Sequence, residues 1–285
     1  MKVKHSQKAA DISTEIVSYI FVGIMVLFTV YPIIYTLLGA FKANAELTLG
    51  ESFFPKEWHP ENFYTAFVRS NFAQYFVNSA VISIAVMVLA VITTSLAGYV
   101  FSRREFTGKK FWLTLYTTLM FIALGSVTLY PTYTMLAKIG INKILLGVIL
   151  TLLGAQISNV MLVRGFVNGL PRELDEAAIL DGCNPFQIYW KIIFPLIRPI
   201  IAVVALFSFR TAWNDYITTL VFSISMPTLR TLTVAVVQLR YSANAAAEWH
   251  IMLAGASISI IPILIVYLFC HKQFIGGLTA GAVKG

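Results

Sequence analysis

The sequence predicts an all-α membrane protein with six transmembrane helices, and three observations carry that expectation. Of 285 residues, 58% are hydrophobic and only 12% charged, with a mean hydropathy of +0.77. A soluble domain carries about 25% charged residues, so there is too little charge here to cover a water-facing surface, and a soluble enzyme is excluded. Second, the charges gather in short clusters between long uncharged stretches, and a helix needs about 20 apolar residues to cross a bilayer. Third, 21 Lys+Arg against 13 Asp+Glu give a net charge of +8. In such a chain that excess reads as basic cytoplasmic loops rather than a nucleic-acid footprint. Two cysteines make no disulfide framework, and no Cys/His cluster has metal-ligand spacing. A single membrane domain over residues 1–285 is expected.

The spans are expected at about 16–41, 76–101, 111–137, 144–163, 200–224 and 251–270. The first four, Ile16–Phe41, Phe76–Phe101, Phe111–Ala137 and Ile144–Val163, contain no charge. The fifth contains Arg210 and Asp215, and the sixth ends at Cys270. Lys2, Lys4 and Lys8 before an apolar run, with Ala43-Asn44-Ala45 after it, imitate a signal peptide. The run is longer than the roughly 7–15 residues of a signal-peptide core, so it is kept as the first helix. With both termini in the cytoplasm, the inner segments hold thirteen of the 21 basic residues, the outer ones seven, and Arg210 is left in a span. That asymmetry follows the positive-inside rule. Trp112 and Trp249 fall at span ends, as interfacial anchors or as ordinary lipid-facing aromatics. Two sizeable loops, Lys42–Tyr75 and Ser225–His250, lie outside.

Between spans four and five the inner segment 168–198 specifies helix, sharp turn, helix. Pro171 suits a first helical position, and Glu173, Asp175 and Glu176 suit the positive end of the helix dipole. Gly182 can close the helix in the left-handed conformation. Asn184, Pro185 and Gln187 have the spacing of a capping box. Leu174, Ala177, Ala178 and Asp181 share one face of small volume, while Phe186, Tyr189, Trp190 and Ile193 form a bulky stripe on the second helix. Pro195 ends that helix and Pro199 helps begin the fifth span. On these grounds alone the segment is either an amphipathic linker or a docking surface for another protein.

Glu176-Ala177-Ala178, Asp181-Gly182 and Ile193-Phe194-Pro195-Leu196 together resemble the "EAA" loop of ABC-importer permease subunits. Asn78-Ser79 opening the second span, Trp213-Asn214-Asp215-Tyr216 in the fifth and the closing Gly277–Gly285 are similar to the carbohydrate-uptake branch, in particular to the second permease of maltose-type transporters. Cys183 departs from the family, where Ala or Ser is commoner. The resemblance implies a type I importer permease fold in a bacterial-type plasma membrane. It also implies that Glu176, Ala177, Ala178, Asp181 and Gly182 form a coupling helix docked on a separate ATPase, with Ala177 and Ala178 close against that partner. The implied assembly has a second homologous permease, two ATPase subunits, an external solute-binding protein and a carbohydrate substrate. A polyamine or peptide permease, or a membrane assembly subunit without a transport role, are the alternatives.

No catalytic residue, metal ligand or cofactor is expected on this chain. Thr107-Gly108-Lys109-Lys110 lacks the earlier glycine and the Ser/Thr of a phosphate loop, so ATP and magnesium are expected on the partner ATPase. His5, His59, His250 and His271 fall in expected tails or loops or near span ends. A charge at the centre of a bilayer costs about 2.5–3.5 kcal/mol on insertion scales, so Arg210 and Asp215 should face a partner or an aqueous cavity. Five residues apart, they are offset by about 140° and do not pair; Asn214 lies closer to the face of Arg210. Asn78, Tyr130, Trp213, Asn214 and Asp215 are candidates for the translocation path, with helix–helix hydrogen bonding as the competing role for Asn78, Asn214 and Asp215. Tyr133 is a further candidate for stacking on a sugar ring. Pro32, Pro131 and Pro262 lie within spans, where prolines kink helices.

Overall fold

The structure, a computed structural model, describes residues 2–50, 52–69, 71–121, 125–154, 156–239 and 247–282, with side chains described between 15 and 269. The side chains of Lys2, Lys4, Lys8, Cys270 and Lys272, together with Arg240 and the end of the tail, lie outside that description. All regular elements among the described residues are helical. The chain divides into two compact units, 1–69 with 238–258, and 70–237 with 259–285.

The first unit contains α1 (Lys2–Gly39), α2 (Asn44–Leu49), α3 (Glu61–Arg69) and the start of a final helix, Trp249–Ala282. From Glu15 to Gly39, α1 is apolar and none of its most hydrophobic stretch is buried in protein. Its side chains therefore need lipid or another subunit as solvent. Beyond it the chain is fastened by polar side chains. Asn62 donates to the carbonyls of Ala40 and Lys42, both at 3.0 Å. Asn44 donates to the Ala247 carbonyl at 2.8 Å and accepts the Trp249 N–H at 3.0 Å, so it satisfies a donor at the start of the final helix.

Lys42 is buried, and its ammonium lies 3.5 Å from the Glu46 carboxylate and also donates to the Ser52 carbonyl. The Ser52 hydroxyl, the Lys56 N–H and Lys42 hold the Glu46 carboxyl below its ordinary value of 4.5. A lowered carboxylate pKa stabilises the fold above the unfolded value, and that stability is lost as pH falls through the folded one. Protection of the amides around 42–56, taken relative to the intrinsic exchange rate at each pH, should therefore be high at pH 7 and fall below about pH 4.5. Glu46→Gln should lose that protection already at pH 7, because it leaves the Lys42 charge buried.

The second unit is organised around α4 (Phe72–Arg103), against which pack α7 (Leu145–Leu153), α8 (Ile157–Asn168) and α12 (Arg198–Trp213). Between them in sequence come α5 (Lys109–Phe121), α6 (Leu129–Lys138), α9 (Glu173–Leu180), α10 (Pro185–Ile188) and α11 (Phe194–Leu196). After α12 follow α13 (Ile217–Ser225) and α14 (Leu232–Gln238); the final helix is α15 (Trp249–Ala282). One apolar cluster holds Ile82, Val86, Val148, Leu152, Ala212 and Phe222. A second holds Tyr99, Val163, Val167, Ile193, Ile197 and Val204.

The approach of α4 to α8 depends on Gly98. A Cβ there would lie 2.7 Å from Val163 Cγ1 and 3.0 Å from the Arg164 backbone nitrogen. Gly98→Ala is expected to cost about 1–3 kcal/mol by overpacking, read as a lowered Tm in detergent. Gly165→Ala, where nothing stands within 4 Å, should be neutral or stabilising.

Three helices are long and apolar enough to span a bilayer: Glu15–Gly39, Phe72–Arg103 and Trp249–Phe269. Counting each of two bent pairs as one span gives up to five among the described residues: α7 with α8, at 48°, and Pro185–Leu196 with α12, at 81°. The region 111–137 comprises α5, a 3₁₀ turn at Gly125–Thr128 and α6, with 122–124 outside the described residues. The region 200–224 comprises α12 and α13, interrupted at 214–216. Pro195 does not end its helix as the sequence suggested, since helical structure continues to Leu196 through a π turn at Tyr189–Ile193. The wider i→i+5 pairing of that turn absorbs the missing proline donor. The sharp bend falls instead at Ile197, just before Pro199 opens α12.

Candidate functional site

The segment between α8 and α12 is held rigid by its own hydrogen bonds. α9 begins at Glu173, so Pro171 stands two residues before the first helical position rather than in it; Arg172 occupies the N-cap. Glu173, Asp175 and Glu176 lie in the first turn, as the dipole favours. At the other end Gly182 has φ +79°. Its N–H bonds the Ile179 carbonyl at 3.0 Å, and the Cys183 N–H bonds the Ala178 carbonyl at 2.9 Å. Those two bonds make a Schellman motif, which is usually accompanied by an apolar contact between its C″ and C3 residues. Here these are Cys183 and Ala178, and both belong to the same apolar cluster. The chain then reverses into the capping box. Asn184 accepts the Gln187 N–H at 2.9 Å, and the Gln187 side chain accepts the Asn184 N–H at 2.8 Å.

Two connections join this segment to α4. Arg103, at the end of α4, donates to the Leu170 carbonyl at 2.8 Å and places its Nε 3.2 Å from the Asp175 carboxylate. Deeper in the unit, the buried Ser95 and Tyr189 hydroxyls meet at 2.7 Å. Arg103, Arg104, Arg172, Asp175, Glu176 and Ile179 line a cavity of about 120 Å³. In the neighbouring basic turn, Lys109 holds the Glu105 carboxyl below its usual range through a 2.7 Å contact.

The five residues singled out on α9 and its cap thus lie together but not alike. Glu176, Ala177, Asp181 and Gly182 are exposed. Ala178 is 2% exposed and packs inward with Ile188, Tyr189 and Ile193. The exposed apolar surface belongs instead to Ile179 (56%), Leu180 (89%) and Phe186 (67%). Sequence reasoning passed over Ile179 and Leu180, although an apolar pair ending a short acidic helix was a visible signal. It also read Arg103 only for its charge sign.

The remaining candidates fall in different places. Asn78 donates to the carbonyls of Thr228 and Arg230, both at 2.8 Å, and the adjacent Ser79 hydroxyl accepts the Leu232 N–H at 2.8 Å. Together they fasten the turn Pro227–Leu229 and the start of α14. Trp213 is 2% exposed, stacks on Phe209 and donates to the Ser259 carbonyl at 3.2 Å. Tyr130 is 76% exposed. Tyr133 meets the Ser225 hydroxyl at 3.1 Å and accepts from Asn142 at 3.0 Å. Asp215 accepts the Thr219 N–H at 2.8 Å and the Thr219 hydroxyl at 2.9 Å, which caps α13. Asn214 and Asp215, with Gly125, Ser126, Tyr216 and Thr218, border a cavity of about 430 Å³. Trp213, Tyr130 and Asn78 do not line it. No group of three or more metal-ligating side chains occurs among the described residues.

Helices long and apolar enough to cross a membrane, with a helix–turn–helix fastened to the end of α4 through Arg103, are the build of a membrane protein. Residues 84–274 match the family of binding-protein-dependent transport system inner membrane components, and the chain belongs to that family. It is 30% identical to the maltodextrin transport system permease protein MdxG of Bacillus subtilis, over 97% of this chain and 98% of the other. It is 32% identical to the arabinooligosaccharides transport system permease protein AraQ of Halalkalibacterium halodurans, over 90% and 91%. Its fold matches a chain of a bacterial ABC transporter involved in the import of the acidic polysaccharide alginate, with a TM-score of 0.77 and 23% identity over 93% and 98%.

Proposed function

We propose that this chain is a membrane-spanning subunit of an ATP-driven carbohydrate importer. The observation that carries the reading is end-to-end similarity to permeases named for maltodextrin and arabinooligosaccharides. The α9–α10 segment, with its closed turn at Gly182 and its capping box at Asn184, supplies a matching mechanical part.

In this reading the chain makes six spans, with both termini in the cytoplasm of a bacterial-type plasma membrane. It pairs with a second homologous permease, and two ATPase subunits carry ATP and magnesium. An external solute-binding protein delivers the sugar to the outer loops. Glu176, Ala177, Asp181 and Gly182 meet the ATPase together with Ile179 and Leu180, while Ala178 holds the helix against its own subunit. Asn214 and Asp215 border the path of the solute; Trp213 and Asn78 brace it.

The test is ATPase stimulation in the reconstituted complex across neutral oligosaccharides, acidic oligosaccharides, polyamines and peptides. Stimulation by one of the saccharide classes is expected. Stimulation by a polyamine or peptide alone would overturn the substrate class. Absence of a co-purifying ATPase would overturn the transport role.

A further inference from the structure

The exposed face of α12 carries three polar side chains beside Phe207 near the end of the helix. Its buried positions, including Val203, Val204, Ser208, Phe209, Ala212 and Trp213, turn into the unit. Arg210, Thr211 and Asn214 are exposed. Arg210 and Asn214, at i and i+4, share one stripe, with Thr211 about 100° round the helix from Arg210, and a guanidinium and an amide in a row do not face hydrocarbon.

Arg210 has no ion-pair partner among the described residues. Asp215, the nearest acid in sequence, has one carboxylate oxygen bound to the N–H and hydroxyl of Thr219. Its charge thereby answers the positive end of α13. Arg210 stands twelve residues into α12, about 18 Å along the axis from its first residue at 1.5 Å per residue, which puts the lipid phosphates at that end out of reach. Asn214, one turn beyond Arg210, borders the 430 Å³ cavity, where Ser126, Tyr216 and Thr218 add hydrogen-bonding groups suited to hydroxyls.

We propose that Arg210, Thr211 and Asn214, with this cavity, form a subsite on the translocation path for a saccharide bearing a carboxylate. The planar guanidinium binds a carboxylate through two parallel hydrogen bonds, which a neutral sugar cannot return. The inference rests on the importer reading and names the substrate class within it.

The test compares uptake of a uronic-acid oligosaccharide with that of a neutral oligosaccharide of equal length, in liposomes holding the full complex. The wild type should take up the uronate faster. Arg210→Gln should reduce uronate uptake about tenfold or more while sparing any neutral uptake, the loss expected for a charged hydrogen-bonded pair. Arg210→Lys should keep part of the uronate rate. Arg198→Gln, at the start of the same helix, should keep all of it. Faster neutral uptake, equal loss of both sugars in Arg210→Gln, or dissociation of the second permease in that variant would overturn the subsite alone; the last would make Arg210 an inter-subunit ion pair. Uptake of neither sugar would overturn the importer reading with it.

Discussion

Leu180→Asp is expected to abolish transport while leaving a folded subunit in the membrane. Leu180 is 89% exposed on the last turn of α9, beside Ile179 at 56%. Replacing a side chain that touches so little of its own protein should change stability by no more than about 0.5 kcal/mol. The same side chain projects from a short helix whose C-terminal end is closed by the hydrogen bonds at Gly182 and Cys183, an apolar anchor ready for a partner's pocket. Anchors of that kind carry about 2 kcal/mol or more of an interface, so ATPase association should weaken by more than about tenfold. Co-purification of the ATPase and solute uptake read the effect, and Tm of the isolated permease supplies the control. Wild-type uptake by Leu180→Asp would remove this surface from the coupling role.

Ala178→Glu is expected to lose transport as well, for the opposite reason. Ala178 is 2% exposed and enclosed by Ile188, Tyr189 and Ile193. A carboxylate there is buried without a partner, which costs several kcal/mol. α9 should come off α10 and the π turn, so that amides 173–193 exchange rapidly and the segment becomes open to protease. Ala178→Ser, close to isosteric, should stay folded. If Ala178→Glu retained wild-type protection, the inward packing of α9 would be refuted. The two variants share a phenotype, and stability separates them.

What was legible in the sequence was local. The Asn184 capping box, the left-handed Gly182 and the acidic first turn of α9 each depend on residues a few positions apart, and the structure reproduces them. The facing of α9 was not legible. Ala177 and Ala178 differ by about 100° around the helix, and only the chain reversal at Gly182 decides which of two equally small residues is covered. The partners of Asn78 lie about 150 residues away, so nothing near it could reveal that the Asn78-Ser79 pair fastens a turn. Trp213 is indistinguishable by composition from an aromatic that would stack on a sugar, and its partner Ser259 is likewise remote. Asp215 was not legible as a cap either, because it stands one residue before the N-cap Tyr216 and reaches Thr219 four residues on, one more than the usual cap spacing.

The two clasps on α4 have a mechanical consequence. Near one end Asn78 grips the Pro227–Leu229 turn, and at the other Arg103 grips the start of α9. Twenty-five residues of unbroken helix separate them, about 38 Å at 1.5 Å per residue. A strut clasped at both ends is the part that would carry a push on α9 to the far turn; if it does, reciprocity requires that whatever settles on the distal turn also alters how firmly α9 is held.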